Sequence, residues 1–228
     1  MVLPTRTLQY LDELKIASEV LGEKSLLEGH GKKALDVGCG KGYGLLALRL
    51  LGYEAYGFDI NPDNIAYAKS LGFKEVLVYN LVDGIPFHEN FDLITCFGVL
   101  EHVRVLDKAL EVLLKAPYHY LIITVPNLHT EFLRLFYLIL RGERIPASLT
   151  RGKGFLMKDE DHVNMFPPVA WRNRIIRTLR KLNVQAEVKN LNYILLTFKN
   201  RNLIFKLPYA GSSSMITVTK SPYKCILQ

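Results

Sequence analysis

Short apolar runs and amphipathic stretches alternate along the chain from Lys33 to Val125. The runs Ala34–Val37, Ala55–Phe58, Val76–Tyr79, Leu93–Phe97 and Tyr120–Val125 are bounded by turn residues, which is the pattern of buried strands. Between them, Tyr43–Leu51, Pro62–Leu71 and Val103–Lys115 carry apolar residues at helical spacing. Pro62 suits a first helical position, and Asn61 before it is a natural cap. Strands that alternate with helices predict an α/β domain built on a parallel sheet. A leading helix is expected over Thr5–Leu21, with Gly22 as its stop. After Asn127 the rhythm changes. His129–Leu140 is strongly apolar, Arg141–Glu160 is Gly-rich and basic, and Pro167–Leu182 reads as an amphipathic helix. Three strand-like runs follow, Gln185–Val188, Tyr193–Phe198 and Met215–Thr219.

Composition narrows the class without naming a chemistry. With 228 residues, 49% hydrophobic and 22% charged, the chain can bury one core and reads as a single globular domain. No apolar run reaches the roughly 20 residues of a spanning helix, and Met1–Gln9 lacks a signal-peptide layout, so a cytoplasmic protein is expected. Cys39, Cys96 and Cys225 are widely spaced, which suggests reduced thiols and neither disulfides nor zinc. The net charge of +7 is uneven: residues 1–127 carry 12 Lys/Arg against 16 Asp/Glu, and residues 128–228 carry 17 against 6. A basic second half is compatible with an anionic partner or simply with a solvated face.

The candidate chemistry begins at Asp36-Val37-Gly38-Cys39-Gly40-Lys41-Gly42, where an apolar strand runs into glycines and then a helix. Glycines permit a sharp bend and let a ligand approach the backbone where a Cβ would collide. The loop lies at the carboxyl end of its strand, the edge at which open parallel sheets bind ligands. Twenty-one residues beyond Gly38, Asp59 ends the next run, where a carboxylate can accept from both hydroxyls of a ribose. The dinucleotide spacing GxGxxG fails, because its third glycine falls on Tyr43 counted from Gly38 and on Leu45 counted from Gly40.

This acidic-x-Gly-x-Gly-x-Gly loop resembles that of the class I S-adenosylmethionine-dependent methyltransferases. Three further segments carry the resemblance: Asn80–Phe87 with Phe91–Ile94, Phe97–Val103 (Phe-Gly-Val-Leu-Glu-His-Val), and Ile122–Asn127, the last similar to a subgroup acting on small molecules and glycans. It is dense from Lys33 to Asn127 and looser through Asp161–Phe166. It implies a Rossmann-like, doubly wound, mostly parallel seven-stranded sheet with an antiparallel last strand and a helical lid after the fifth. The parts would be a helical cap at 1–30, a cofactor core at 31–127, a lid at 128–165 and a final helix and strands at 166–228.

By the same resemblance S-adenosylmethionine is the cofactor. Asp36, Gly38, Cys39, Gly40 and Gly42 form its loop, Asp59 and Ile60 hold the adenosine, Asn80 and Leu81 meet the adenine, and Phe97 borders the site. Asn80 stands where the family usually has an acid. No metal is expected, because Gly98 replaces the first Glu of the ExxEH segment found in some quinone-ring methyltransferases.

Methyl transfer from a sulfonium needs alignment more than a nucleophilic residue, and a base helps when the acceptor is a hydroxyl or a protonated amine. His102 and His162 are the candidates, and for each a structural role, such as capping a helix or holding a loop, stays open. Residues 128–165 are where the acceptor would be chosen. The expected acceptor is an oxygen or a nitrogen of a small or lipid-like metabolite. RNA is the alternative, favoured by the basic second half, with Arg141, Arg144, Arg151, Lys153 and Lys158 and then Arg172, Arg174, Arg177 and Arg180, and a third reading is an inactive cofactor-binding protein.

Overall fold

In the computed structural model the residues described are 3–126, 163–164, 166–198, 201–206 and 213–220. The parallel strands are β1 (Lys33–Val37), β2 (Glu54–Asp59), β3 (Val76–Val78), β4 (Phe91–Phe97) and β5 (Tyr118–Pro126). They are followed by β6 (Ala186–Phe198), β7 (Arg201–Lys206) and β8 (Ser213–Lys220). The helices are α1 (Thr5–Leu21), α2 (Tyr43–Leu50), α3 (Pro62–Ser70), α4 (Leu106–Lys115) and α5 (Pro168–Lys181).

The strand order is β3-β2-β1-β4-β5-β8-β6-β7. All pairings from β3 through β5 are parallel, and β8 lies antiparallel between β5 and β6. The doubly wound, mostly parallel sheet with an antiparallel last strand is therefore found, and among the described residues it carries an eighth strand. The eighth is β7, which pairs with the end of β6 from Tyr193↔Lys206 to Phe198↔Arg201. A second difference lies in β6. The polar residues Lys189, Asn190 and Asn192 suggested a break between two strands, yet they are held in register against β8, Lys189 opposite Thr217 and Asn192 opposite Ser214. Asn192 is buried there and accepts a hydrogen bond from Ser214 Oγ at 2.8 Å, so pairing with β8 outweighs the local polarity. The apolar run His129–Leu140 and the proposed lid lie outside the described residues, apart from Val163 and Asn164 at its end.

Alternation along the strands sets what each face meets. Leu35 and Val37 of β1, Ile94 and Cys96 of β4, and Ile123 and Val125 of β5 join the core under α4 and α5, which includes the fully buried Trp171. Ala34, Leu93, Ile122 and Met215 face the other way, toward Leu14, Ile16 and Ala17 of α1 and Leu48 of α2. Asp36 falls on this second face and is buried beneath α2. Helix ends follow local chemistry: Asn61 Oδ1 caps α3 by accepting from Asp63 N at 2.8 Å, and Gly22 ends α1 with φ +77°. The helix expected from Val103 begins instead at Leu106, because Leu100–His102 forms a separate single turn that ends at an extended Val103. Among the described residues no helix is long and apolar enough to cross a membrane.

Gly44, in the first turn of α2, is required by packing. A Cβ there would lie 2.3 Å from Asp36 Oδ2 and 2.7 Å from Tyr10 Cε1. Alanine improves helix propensity by at most about 1 kcal/mol, while overpacking costs about 1–3 kcal/mol. Gly44→Ala should therefore lower stability, by about 1–2 kcal/mol in a urea titration, despite the better helix former.

Candidate active site

The order of strands reverses between β1 and β4, and a cavity of about 700 Å³ opens there, at the carboxyl edge of the sheet. Each of these strand ends is fastened to its neighbour: Cys39 N donates to Phe58 O at 3.0 Å, Tyr79 N to Asp59 O at 3.0 Å and Gly98 N to Thr124 O at 3.1 Å. Asp59, Asn80 and Gly98 are thereby brought to one rim.

Gly38 and Gly40 take φ of +68° and +51°, a left-handed conformation that favours glycine. At Gly38 a Cβ would also strike the Val99 side chain at 2.4 Å, whereas at Gly40 it would meet open space. Gly40 thus presents bare backbone beside the carboxylate of Asp59. Its N–H donates to Asp59 Oδ2 at 2.9 Å, while Oδ1 accepts from Asn61 N at 2.8 Å and from Asn64 Nδ2 at 3.3 Å. Two carboxylate oxygens offer about four lone-pair sites, so three donors orient Asp59 and leave acceptor capacity for a ligand.

Gly38, Asp59, Ile60, Asn80, Leu81 and His102 all line this cavity. Ile60 is 67% exposed, an unusual state for an isoleucine, and offers an apolar surface on which a ring can lie. Asn80 Oδ1 accepts from Val82 N at 3.2 Å and caps the short turn Leu81–Asp83. Asp36, Cys39, Gly40, Gly42 and Phe97 do not line it. Cys39 is buried against Leu45 at Gly57, where a Cβ would lie 3.0 Å from each side chain. Burial and the negative charge of Asp36 push the Cys39 thiol far up. Phe97 stacks on Tyr10 of α1 at 5.3 Å between ring centroids. His162 lies outside the described residues.

Several cavity residues were not singled out in the sequence. Asn64 anchors Asp59 from the first turn of α3, and Tyr79, Val99, Val103 and Arg104 complete the wall. The signal for Val99 and Val103 was present, since both flank Leu100-Glu101-His102. Tyr79, directly before Asn80, and Asn64, five residues after Asp59, carried none beyond position. Thr95 was also missed: its hydroxyl donates to Asp36 Oδ1 at 2.8 Å.

Two acids here are buried. Asp36 is 1% exposed, its Oδ2 has no hydrogen-bond partner, and burial pushes its carboxyl up to about 7, aided by the charge of Asp59 and opposed by the Thr95 hydroxyl. Glu101 is likewise buried with Oε2 unpartnered, and burial raises its pKa. Among the described residues no three His, Cys, Asp or Glu side chains gather as a metal-ligand group.

On α5, Arg174 donates to Asp107 at 2.8 Å and Lys181 to Glu111 at 2.5 Å, so these two cations bridge to α4. Arg172, Arg177 and Arg180 on the same helix are exposed.

A family of methyltransferase domains matches residues 11–177, and the chain belongs to that family. Curated relatives include a ubiquinone biosynthesis O-methyltransferase of Pseudomonas syringae pv. tomato, 36% identical over 81 residues, which are 32% of this chain and 34% of that protein. The mitochondrial protein of the same name from Schizosaccharomyces pombe is 33% identical over 98 residues, 40% of this chain and 35% of that one. The matched stretch is thus about a third of these relatives' length. Among solved structures, an S-adenosylmethionine-dependent methyltransferase of Archaeoglobus fulgidus superposes with a TM-score of 0.60 at 18% identity, covering 94% of each chain. Another from Thermotoga maritima gives 0.63 at 16% identity, covering 93% of this chain and 89% of its own. At such identities the likeness is one of fold.

The buried Asp36 makes stability depend on pH with a definite sign. The folded carboxyl keeps its proton to about pH 7 and the unfolded one loses it near 3.8, so the folded state binds more protons between these values. Its contribution to stability is full below the unfolded value and is lost as pH rises through about 7. Melting of the ligand-free protein between about pH 5 and pH 8 should fall more steeply for the parent than for Asp36→Asn, which cannot ionise.

Proposed function

We propose that the protein transfers the methyl group of S-adenosylmethionine to an oxygen of a small, lipid-like metabolite. The observation that carries this reading is the Asp59 carboxylate, held by Gly40, Asn61 and Asn64 at the cavity rim beside exposed Ile60. A ribose hydroxyl is suited to the acceptor site left on Asp59 Oδ2, and a purine to the apolar wall of Ile60, Leu81 and Val99. Asn80 and Leu81 would meet the adenine edge, and the bare backbone at Gly40 leaves room for the rest of the cofactor. Bound S-adenosylmethionine would supply an activated methyl group on a sulfonium.

The chain's own work is then to bind, to orient and to move one proton. Asp59 fixes the adenosine; His102, on the same wall as Gly98 and Val99, takes the proton of the acceptor hydroxyl. Support for oxygen and for a lipid-like acceptor comes from the relatives named as ubiquinone biosynthesis O-methyltransferases.

Calorimetry with S-adenosylhomocysteine should show binding, and Asp59→Ala should weaken it by about 30-fold or more, the loss of hydrogen bonds to a charged group. Undetectable binding by the parent would defeat the reading. Asn80→Asp should tighten binding by about fivefold, because a carboxylate accepts from an amino group more strongly than an amide. In an incubation of label-bearing S-adenosylmethionine with fractionated metabolites, lipids and RNA, label should enter a small or lipid fraction. Label in RNA alone would overturn the choice of acceptor. His102→Gln should reduce that transfer about 100-fold or more with little change in cofactor affinity.

A further inference from the structure

The single turn Leu100–His102 faces a structural difficulty. Three residues make too short a helix to be stable alone: Leu100 O accepts from Val103 N at 3.3 Å, and there the backbone turns extended and the turn ends. The carbonyls of Leu100, Glu101 and Val103 take donors from two residues some sixty positions later. Val163 N and Asn164 N donate to Glu101 O at 2.8 and 3.0 Å, and Asn164 Nδ2 donates to Leu100 O at 2.9 Å and to Val103 O at 2.5 Å. Four hydrogen bonds thus converge on three carbonyls that bracket His102.

The residue type is demanding. One carboxamide nitrogen brings two N–H donors to two carbonyls, whereas serine has one donor and an ionised aspartate has none. The clamp is itself anchored further along the chain. Phe166 packs edge-on against Trp171 at 5.2 Å and lies under the Arg174 guanidinium, which pairs with Asp107 at the start of α4. With Leu100 buried on one side of the turn and His102 lining the cavity on the other, the rotation of the turn decides where the imidazole lies.

We infer that Asn164 is a positioning residue for methyl transfer, holding the Leu100–His102 turn so that His102 meets the acceptor. The inference rests on His102 acting as the base. It is tested on the full chain labelled with ¹³C-histidine, the His102 ring signal being identified through His102→Gln. Asn164→Asp keeps the shape and removes both donors. With S-adenosylhomocysteine bound it should displace the His102 signal and cut methyl transfer about tenfold or more, while cofactor affinity stays within about threefold. Asn164→Ser, with one donor left and a milder effect on folding, should fall between.

An unmoved His102 signal and an undiminished rate in either folded variant would overturn the inference. So would a loss of cofactor binding in proportion to activity, which would make Asn164 a support of the cavity as a whole. A normal transfer rate in His102→Gln would defeat the base reading, and with it the catalytic meaning of the clamp; an unmoved signal in Asn164→Asp defeats the clamp alone.

Discussion

The hydrogen bond from Gly40 N–H to the Asp59 carboxylate joins the ends of β1 and β2, and the cavity takes its shape from it. It depends on parallel register: Asp36 lies beside Gly57 and Val37 beside Phe58, so the two strands finish together and their following loops meet. It depends as well on left-handed backbone at Gly38 and Gly40, without which the N–H would not turn toward the acid. Asn61 and Asn64 then complete the hold on Asp59 while Asn61 also starts α3, so one short segment both caps a helix and aims a carboxylate.

Beneath the loop the protein accepts a cost. Asp36 is buried with one oxygen unpartnered, in a space that Gly44 and the Tyr10 ring shape from α2 and α1. A buried ionised carboxylate is expensive, and the raised pKa shows the protein escaping that cost by keeping the proton. Thr95 compensates in part by donating to the other oxygen. Polar groups buried with incomplete satisfaction gather where function overrides stability, and Glu101, in the turn that carries His102, is a second case at the same edge.

The alternation of strands and helices up to Pro126 was legible because hydrophobic period and local caps agreed at each step. Asn61, Pro62 and Gly22 marked helix ends that the structure keeps. The carboxyl half was read less well. Lys189–Asn192 look like a loop by composition, and only the partner strand β8 makes them a strand; Arg201–Lys206 is short, and its place is set by β6. The start of α4 was read three residues early because Val103 continues an apolar pattern that the backbone abandons.

Local chemistry announced the loop at Asp36–Gly42, the acid at Asp59 and the turn at Glu101 and His102, since left-handed glycines, strand tips and caps are short-range matters that spacing along the chain can reveal. It could not announce that Asn64 would brace Asp59, that Tyr10 would lie on Phe97, or that Asn164 would close on the carbonyls around His102. Those contacts join residues on separate elements, up to 87 positions apart in the case of Tyr10 and Phe97. They exist because the sheet fixes where each element ends, a property of the packed whole that no stretch of residues contains.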